Sequence, residues 1–100
     1  MILYNITFNV ELDTVEDFKS YLQQAHIPSL ELGNDILEYK FFRLLNVDES
    51  EAMTMTLQYF LKDLGTYNQH LTVIDRELKR DLYQRYGDKV LYFCSVLEKI

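Results

Sequence analysis

The sequence has little of the residues that build disulfide scaffolds, fibres and linkers. Among its 100 residues are one cysteine, one proline, three glycines and no tryptophan. The single Cys94 cannot form a disulfide within the chain, and so few glycines and prolines exclude collagen-like and low-complexity segments. With 48% hydrophobic and 26% charged residues, the composition predicts one globular domain over residues 1–100.

Long apolar runs are also missing. None approaches the roughly 20 residues that a membrane-spanning helix needs, and the amino terminus has no basic start of the kind that secretory signals carry. With the lone cysteine, these features predict a cytoplasmic protein without a membrane partner.

Positive charge is scarce, since ten Lys and Arg stand against sixteen Asp and Glu, giving a net charge of −6. Binding to nucleic acid is driven mainly by cationic side chains that displace counterions from phosphates. The densest basic run lies on one predicted helix and is interleaved with acids at spacings typical of a solvated helix surface. It comprises Arg76, Lys79, Arg80 and Arg85, among Asp75, Glu77 and Asp81. We therefore expect no nucleic-acid partner.

Two hydrophobic periods predict the secondary structure. Apolar residues alternate with polar ones over residues 2–12 and 52–61, which is typical of strands, and two further apolar and aromatic segments, 39–46 and 90–97, also favour strands. Apolar residues recur every three or four positions over 15–25 and 64–82, which indicates amphipathic helices. Asp63 is placed to cap the second helix and Gly87 to end it, while Pro28 and Gly33 predict a turn and loop over 28–38.

The predicted order is β-α-β-β-α-β, which is the ferredoxin-like arrangement of an α+β protein. Right-handed crossovers then give a four-stranded antiparallel sheet in the order 4-1-3-2, with both helices on one face. Some proteins of this topology pair through the other face as a dimeric α/β barrel.

Several short segments resemble one bacterial family, the domain of unknown function 4286 of the Bacteroidetes. They are Met-Ile-Leu-Tyr-Asn-Ile-Thr at 1–7, His-Ile-Pro at 26–28, Arg-Leu-Leu at 43–45, Gln-Tyr-Phe at 58–60 and Tyr-Gly at 86–87. The resemblance spans nearly the whole chain. It implies a small cytoplasmic α+β protein and supplies no catalytic residue.

The alternation also predicts which side chains face the helices and which lie on the opposite, open face of the sheet. The more apolar set is expected to face the helices: Tyr4, Ile6, Phe8, Val10, Phe42, Leu44, Met53, Met55, Leu57, Tyr59, Leu91, Phe93 and Leu97. The open face is then expected to carry Leu3, Asn5, Thr7, Asn9, Phe41, Arg43, Leu45, Thr54, Thr56, Gln58, Tyr92, Cys94 and Val96. Pairing Leu45 with Ala52 would set Arg43 opposite Thr54.

Such an open face would have a polar centre and apolar rims. It is more apolar than a solvated surface, so we expect it to pack on the same face of a second copy. The alternative is an antiparallel sheet with one face in water. The main functional hypothesis is thus a non-enzymatic homodimeric interaction module, and the other is a small-molecule binding protein, or a cofactor-free enzyme, that takes an anionic ligand on the open face.

Two residues carry the candidate chemistry. Arg43, expected on the open face, would hold a carboxylate or phosphate, or else bond across the subunit boundary. His26, at the end of the first helix, would act as a base or anion-binding group, or else cap the helix carbonyls. The candidate ligand-binding or interface residues are Asn5, Thr7, Asn9, His26, Arg43, Thr54, Thr56, Gln58 and Tyr92.

Other kinds of site lack support in the sequence. His26 and His70 lie on different predicted helices, and no pair of residues has metal-ligand spacing, so we expect no metal and no cofactor. No base is evident beside Cys94, which disfavours a nucleophile. The stacking platform of RNA-recognition modules is missing, because the central strands carry amides and threonines where those modules carry aromatic side chains.

Overall fold

Four antiparallel strands form one sheet in the computed structural model, which describes residues 1–29 and 36–100 apart from the side chain of residue 70. The strands are β1 (Ile2–Glu11), β2 (Ile36–Arg43), β3 (Ala52–Leu61) and β4 (Val90–Glu98). Their order across the sheet is β2-β3-β1-β4, so the predicted ferredoxin-like α+β fold and the order 4-1-3-2 are confirmed.

Both helical regions change pitch along their length. The first region consists of α1 (Val15–Tyr21), a π-helical segment (Leu22–His26) and a 3-10 turn (Ile27–Ser29). The second consists of α2 (Leu64–Thr66), a π-helical segment (Tyr67–Leu71) and α3 (Thr72–Tyr86). The predicted ends of the second region are confirmed: an Asp63 carboxylate oxygen accepts a hydrogen bond from the Thr66 amide at 2.9 Å, and Gly87 follows α3 with φ of 57°.

The two central strands have the predicted alternation. Even-numbered residues of β1 are buried from Ile2 to Val10, and odd-numbered residues of β3 are buried from Met55 to Leu61. Directly paired residues of neighbouring strands share a face, and Phe8 pairs with Met55. These side chains pack on the helical layer, where Phe8 and Phe18 meet edge to face with ring centres 4.9 Å apart.

The predicted faces of β2 are wrong. The strand begins and ends three residues earlier than predicted, and Phe41 pairs with Leu57 while Arg43 pairs with Met55. Arg43 was expected opposite Thr54, and a shift of one residue moves every side chain of a strand to the other face. Phe41 and Arg43 therefore lie on the helix side, whereas Phe42 and Leu44 lie on the open face.

The cause of this shift is the connection between β2 and β3. The strand ends before residues 44–51, a long turn in which Asn46 has a positive φ of 61°. Leu44 still donates its amide to the Thr54 carbonyl at 2.9 Å, so the predicted pair of Leu45 and Ala52 does not form. Of the predicted 28–38 turn and loop, Ile27–Ser29 is a helical turn, Ile36 already belongs to β2, and 30–35 lie outside the described residues.

The predicted faces of β4 are also wrong. Cys94 pairs with Ile6 and Tyr92 with Phe8, so both lie on the helix side, as does Val96. The open face instead receives Leu91, Phe93 and Leu97. The apolar run from Val90 to Cys94 has no alternation, and Val90, buried against the core, sets the phase of the strand.

Candidate functional site

The open face of the sheet consists of four rows of side chains that cross the strands. In the described ranges no helix packs on it, since the buried residues of β1 and β3 all belong to the opposite set. Taken from β2 to β4, the rows are Glu38, Phe60, Leu3, Leu97; then Lys40, Gln58, Asn5, Ser95; then Phe42, Thr56, Thr7, Phe93; then Leu44, Thr54, Asn9, Leu91.

Hydrogen bonds link the polar centre of this face. The Gln58 amide donates to the Asn5 carbonyl oxygen at 3.2 Å, and the Asn5 amide donates to the Thr7 hydroxyl at 3.2 Å. Asn9 donates to the Thr54 hydroxyl at 3.4 Å. The predicted residues Asn5, Thr7, Asn9, Thr54, Thr56 and Gln58 are thus brought together as one stripe on β1 and β3.

Large apolar side chains border the stripe on both edge strands. Phe42 is 51% exposed on β2, and Phe93 is 64% exposed on β4. Leu91 and Leu97 are also exposed, while Leu3 and Phe60 form an apolar row at one end of the stripe. A polar centre with apolar rims was predicted, but the rim residues differ, because both edge strands present the opposite face.

Arg43 does not join the stripe. It lies on the helix side of the sheet edge, where its guanidinium makes a two-pronged ion pair with Glu49, with distances of 3.2 and 2.8 Å to the two carboxylate oxygens. Its side chain is about half exposed, whereas that of Glu49 is mostly covered. The acidic turn therefore binds the cation that was expected to hold a ligand on the open face.

Tyr92 is likewise on the helix side, with the Lys79 ammonium 5.9 Å from the centre of its ring. Cys94, beside it on β4, is half-buried against the core near Tyr4. Neither side chain lines the open face.

His26 is buried between the helical layer and the sheet. It lies on the same side of the helix as Leu22, four residues before it, and its Nε2 is hydrogen bonded to the hydroxyl of Tyr59 near the end of β3. Burial lowers the pKa of His26 to about 4, against the opposing pull of Asp75 and Asp81. The imidazole is therefore neutral near pH 7 and is not an anion-binding imidazolium.

Sequence reasoning missed the polar groups that surround His26. Tyr4 donates to an Asp75 carboxylate oxygen at 2.5 Å, and Lys79 contacts the other oxygen at 2.7 Å. Tyr21 donates to Asp81 at 3.0 Å, and burial with that bond raises the pKa of Tyr21 to about 12. Burial also raises the pKa of Tyr4 and of Tyr59. Tyrosines at buried positions were the available signal, since a buried hydroxyl requires a partner.

No group of three or more metal-ligating side chains is found within the described residues. In the same part of the chain, no helix is long and apolar enough to cross a bilayer.

Solved structures with the same fold include several proteins of low sequence identity. A candidate antibiotic biosynthesis monooxygenase from Deinococcus radiodurans is 14% identical, with 99% of this chain and 92% of that chain covered and a TM-score of 0.71. An ethyl tert-butyl ether D family protein from Bacillus halodurans is 16% identical over the whole of both chains, with a TM-score of 0.65. A dimeric ferredoxin-like protein from an uncultured marine organism is 12% identical, with 99% and 98% covered and a TM-score of 0.60.

No curated protein matches the sequence. The profile of the family described as a domain of unknown function, DUF4286, matches residues 1–100. The chain therefore belongs to this family, as the short segments indicated.

Proposed function

We propose that the chain is a homodimeric interaction module, and that the open face of its sheet is the interface between two copies. The carrying observation is the distribution of side chains on that face, with exposed Phe42 and Phe93 on opposite rims of a hydrogen-bonded polar stripe. Exposed aromatic side chains bordering one contiguous face are typical of protein interfaces.

The size of the face is compatible with a stable dimer. Four strands about 4.8 Å apart, each contributing about nine residues of about 3.3 Å, give a flat area of roughly 600 Å². Two such faces would bury roughly 1,200 Å² in total, which is at the lower end of standard protein interfaces. Because side chains protrude from the plane of the sheet, the area actually buried is larger than this flat estimate.

Charge also favours contact between two copies. The chain has a net charge of −6, but the four rows of the open face carry one acid, Glu38, and one base, Lys40. Both lie at one rim. A face without net charge avoids the repulsion that two acidic proteins otherwise experience, and charged residues are depleted at interface cores.

The polar stripe is the part of the interface that sets its specificity. Amides and hydroxyls removed from water need partners. The stripe satisfies some of its own groups through the hydrogen bonds from Gln58 to Asn5 and from Asn5 to Thr7. The remaining donors and acceptors require those of a second stripe or trapped water. An identical partner supplies a matching stripe, as in other isologous interfaces.

The dimeric ferredoxin-like proteins from uncultured marine organisms support the same proposal by analogy of fold. The alternative, an anionic ligand on the open face, has weaker support, because Arg43 was the residue expected to bind the anion. That guanidinium lies on the other side of the sheet and is bound by Glu49.

The test compares two exposed aromatic residues on opposite sides of the molecule. Phe93→Asp places a charge on the open face, where residue 93 is 64% exposed in one chain. Tyr83→Asp is the matched control, because Tyr83 is 78% exposed on α3. We expect Phe93→Asp to shift the mass measured by light scattering from that of a dimer to that of a monomer, since an interface cannot bury an unpaired carboxylate.

Tyr83→Asp is expected to keep the dimer mass. Unfolding temperature and circular dichroism confirm that both variants fold. A dimer that survives Phe93→Asp but is lost in Tyr83→Asp would place the interface on the helices and overturn the proposal.

A further inference from the structure

A cleft of about 190 Å³ lies on the helix side, between the helix that ends at His26 and α3. The first helix contributes Tyr21, His26 and, in the following turn, Ser29; α3 contributes Glu77, Asp81 and Arg85. The cleft is therefore separate from the open face, and its occupancy does not depend on the proposed dimer.

Charges of both signs line this cleft. Glu77, Asp81 and Arg85 are spaced four residues apart, so they follow one side of α3. The Arg85 guanidinium stacks on Tyr21 at 4.5 Å from the ring centre, and within residues 1–29 and 36–100 no carboxylate lies within 4.0 Å of it. One Asp81 carboxylate oxygen accepts a hydrogen bond from Tyr21, and the other lies 4.0 Å from the Arg80 guanidinium.

His26 is among the residues that line the cleft, although it is only 6% exposed. The buried Tyr59 hydroxyl has one acceptor among the described residues, His26 Nε2, so we assign the proton of the neutral imidazole to Nδ1. That nitrogen has no partner in the described part of the chain, and no fully buried side-chain nitrogen or oxygen there lacks one. Within the described residues, the Nδ1–H is thus left for an acceptor in the cleft.

We infer that this cleft binds a small zwitterion of the α-amino acid class. Arg85 pairs with the ligand carboxylate, Glu77 and Asp81 face the ammonium group, and His26 Nδ1–H donates to a ligand oxygen. At about 30 Å³ for each water displaced, the cleft has the volume of about six waters, which suits a molecule with few heavy atoms.

Ligands with charge of a single sign fit this lining less well. A phosphate or dicarboxylate would meet two carboxylates and one guanidinium, and a diamine would meet the guanidinium. A zwitterion is the ligand that places each of its charges against the opposite charge of the protein.

The test is a thermal-unfolding screen of the full chain with the twenty L-amino acids at millimolar concentration, followed by calorimetric titration of the amino acid with the largest shift. A ligand that binds only the folded chain raises its unfolding temperature in a concentration-dependent way. We expect a saturable shift with at least one amino acid. We expect none with acetate, with methylammonium, or with the N-acetyl amide of that amino acid.

Two variants locate the binding. Arg85→Gln is expected to weaken it at least about tenfold, since it removes a charge-assisted hydrogen bond. Arg76→Gln is the matched control, an exposed arginine of α3 outside the cleft lining, and is expected to bind like the unaltered chain. The unfolding temperature without ligand reports the fold of each variant.

Three results would overturn the inference. They are no shift with any amino acid, binding of acetate or the blocked amide as tight as that of the amino acid, and equal binding by Arg85→Gln and Arg76→Gln. The Phe93→Asp variant is expected to bind as well as the unaltered chain, so loss of the dimer and loss of this site are separate outcomes.

Discussion

The two faces of the sheet use opposite arrangements of the same kinds of side chain. On the helix side, apolar side chains fill the centre, and the buried polar tips of Tyr4, Tyr59 and His26 each have a partner. On the open face, polar side chains occupy the centre and apolar ones the rims. The apolar core on the helix side is therefore covered within one chain, whereas the open face leaves its apolar rims exposed.

The two faces contribute to two different properties, the stability of one chain and its association with a second. Burial in the core contributes to the folding of each copy, and burial of the rims would contribute only when a second copy arrives. Substitutions on the two faces should therefore act on two different measured quantities, the free energy of unfolding and the molecular mass.

The largest expected effect on unfolding belongs to the helix side. Phe8 is fully buried and meets Phe18 edge to face, so Phe8→Ala should lower the free energy of unfolding by about 3–5 kcal/mol, through lost transfer energy and a cavity. Urea denaturation measures it, with Phe42→Ala on the open rim compared at a dilution where the unaltered chain is monomeric. At that dilution, Phe42→Ala should lower the free energy of unfolding by well under half as much as Phe8→Ala. An equal decrease for the two variants would contradict the distinction between the faces.

A pH dependence of stability, similar in size, tests whether His26 is buried and neutral on the helix side. Because burial holds the pKa of His26 at about 4, below its usual value of 6.5, the unfolded chain binds more protons between these values. The neutral imidazole therefore contributes stability that is fully present above about pH 6.5 and is lost as the pH falls towards 4, amounting to about 3 kcal/mol. Among the described residues, Asp75 and Asp81 are the charges that act on the imidazole, Tyr59 is hydrogen bonded to it, and Tyr21, Ser29, Glu77 and Arg85 line the same cleft.

His26→Gln isolates this contribution, since glutamine cannot titrate but can still accept from Tyr59. The difference in unfolding free energy between the unaltered chain and the variant, at one protein concentration, should change by about 3 kcal/mol in favour of the variant from pH 7 to pH 4. The same subtraction removes the titration of the carboxylates. A difference that stays constant over this range would show that the imidazole is not held neutral.

The smallest effect is expected at Arg43. Its ion pair with Glu49 is about half exposed, and such pairs contribute under about 1 kcal/mol. Arg43→Ala should lower the free energy of unfolding by no more than this amount. It should leave the mass measured by light scattering unchanged. Loss of the dimer in this variant would mean that the acidic turn, rather than the open face, contacts the partner.

How much of this could be predicted from the sequence differs between the central and the edge strands. The alternation along β1 and β3 predicts their faces, because one side of each strand is fully buried and the other is not. On the edge strands, both sides are partly exposed, and apolar residues do not alternate with polar ones. Phe41 is followed by Phe42 and Tyr92 by Phe93, so the sequence does not indicate which of each pair faces the helices. Register then depends on the length of the turn at 44–51, which local patterns do not determine.

The polar groups of the helix side were harder to predict than the stripe. Asn5, Thr7 and Gln58 fall together because strands β1 and β3 are neighbours in any ferredoxin-like sheet. The bond between His26 and Tyr59, and that between Tyr4 and Asp75, join residues 33 and 71 positions apart in the chain. Their meeting depends on how the helices dock, so the sequence indicates that the buried hydroxyls need partners but not which residues supply them.

The central claim is that a second copy covers the open face, and the mass of the unaltered chain in solution tests it most directly. One chain has a mass of 12.0 kDa. Sedimentation equilibrium at micromolar concentration should give twice that mass, decreasing towards the single-chain value on dilution. A mass of one chain at every concentration up to the millimolar range would contradict the account.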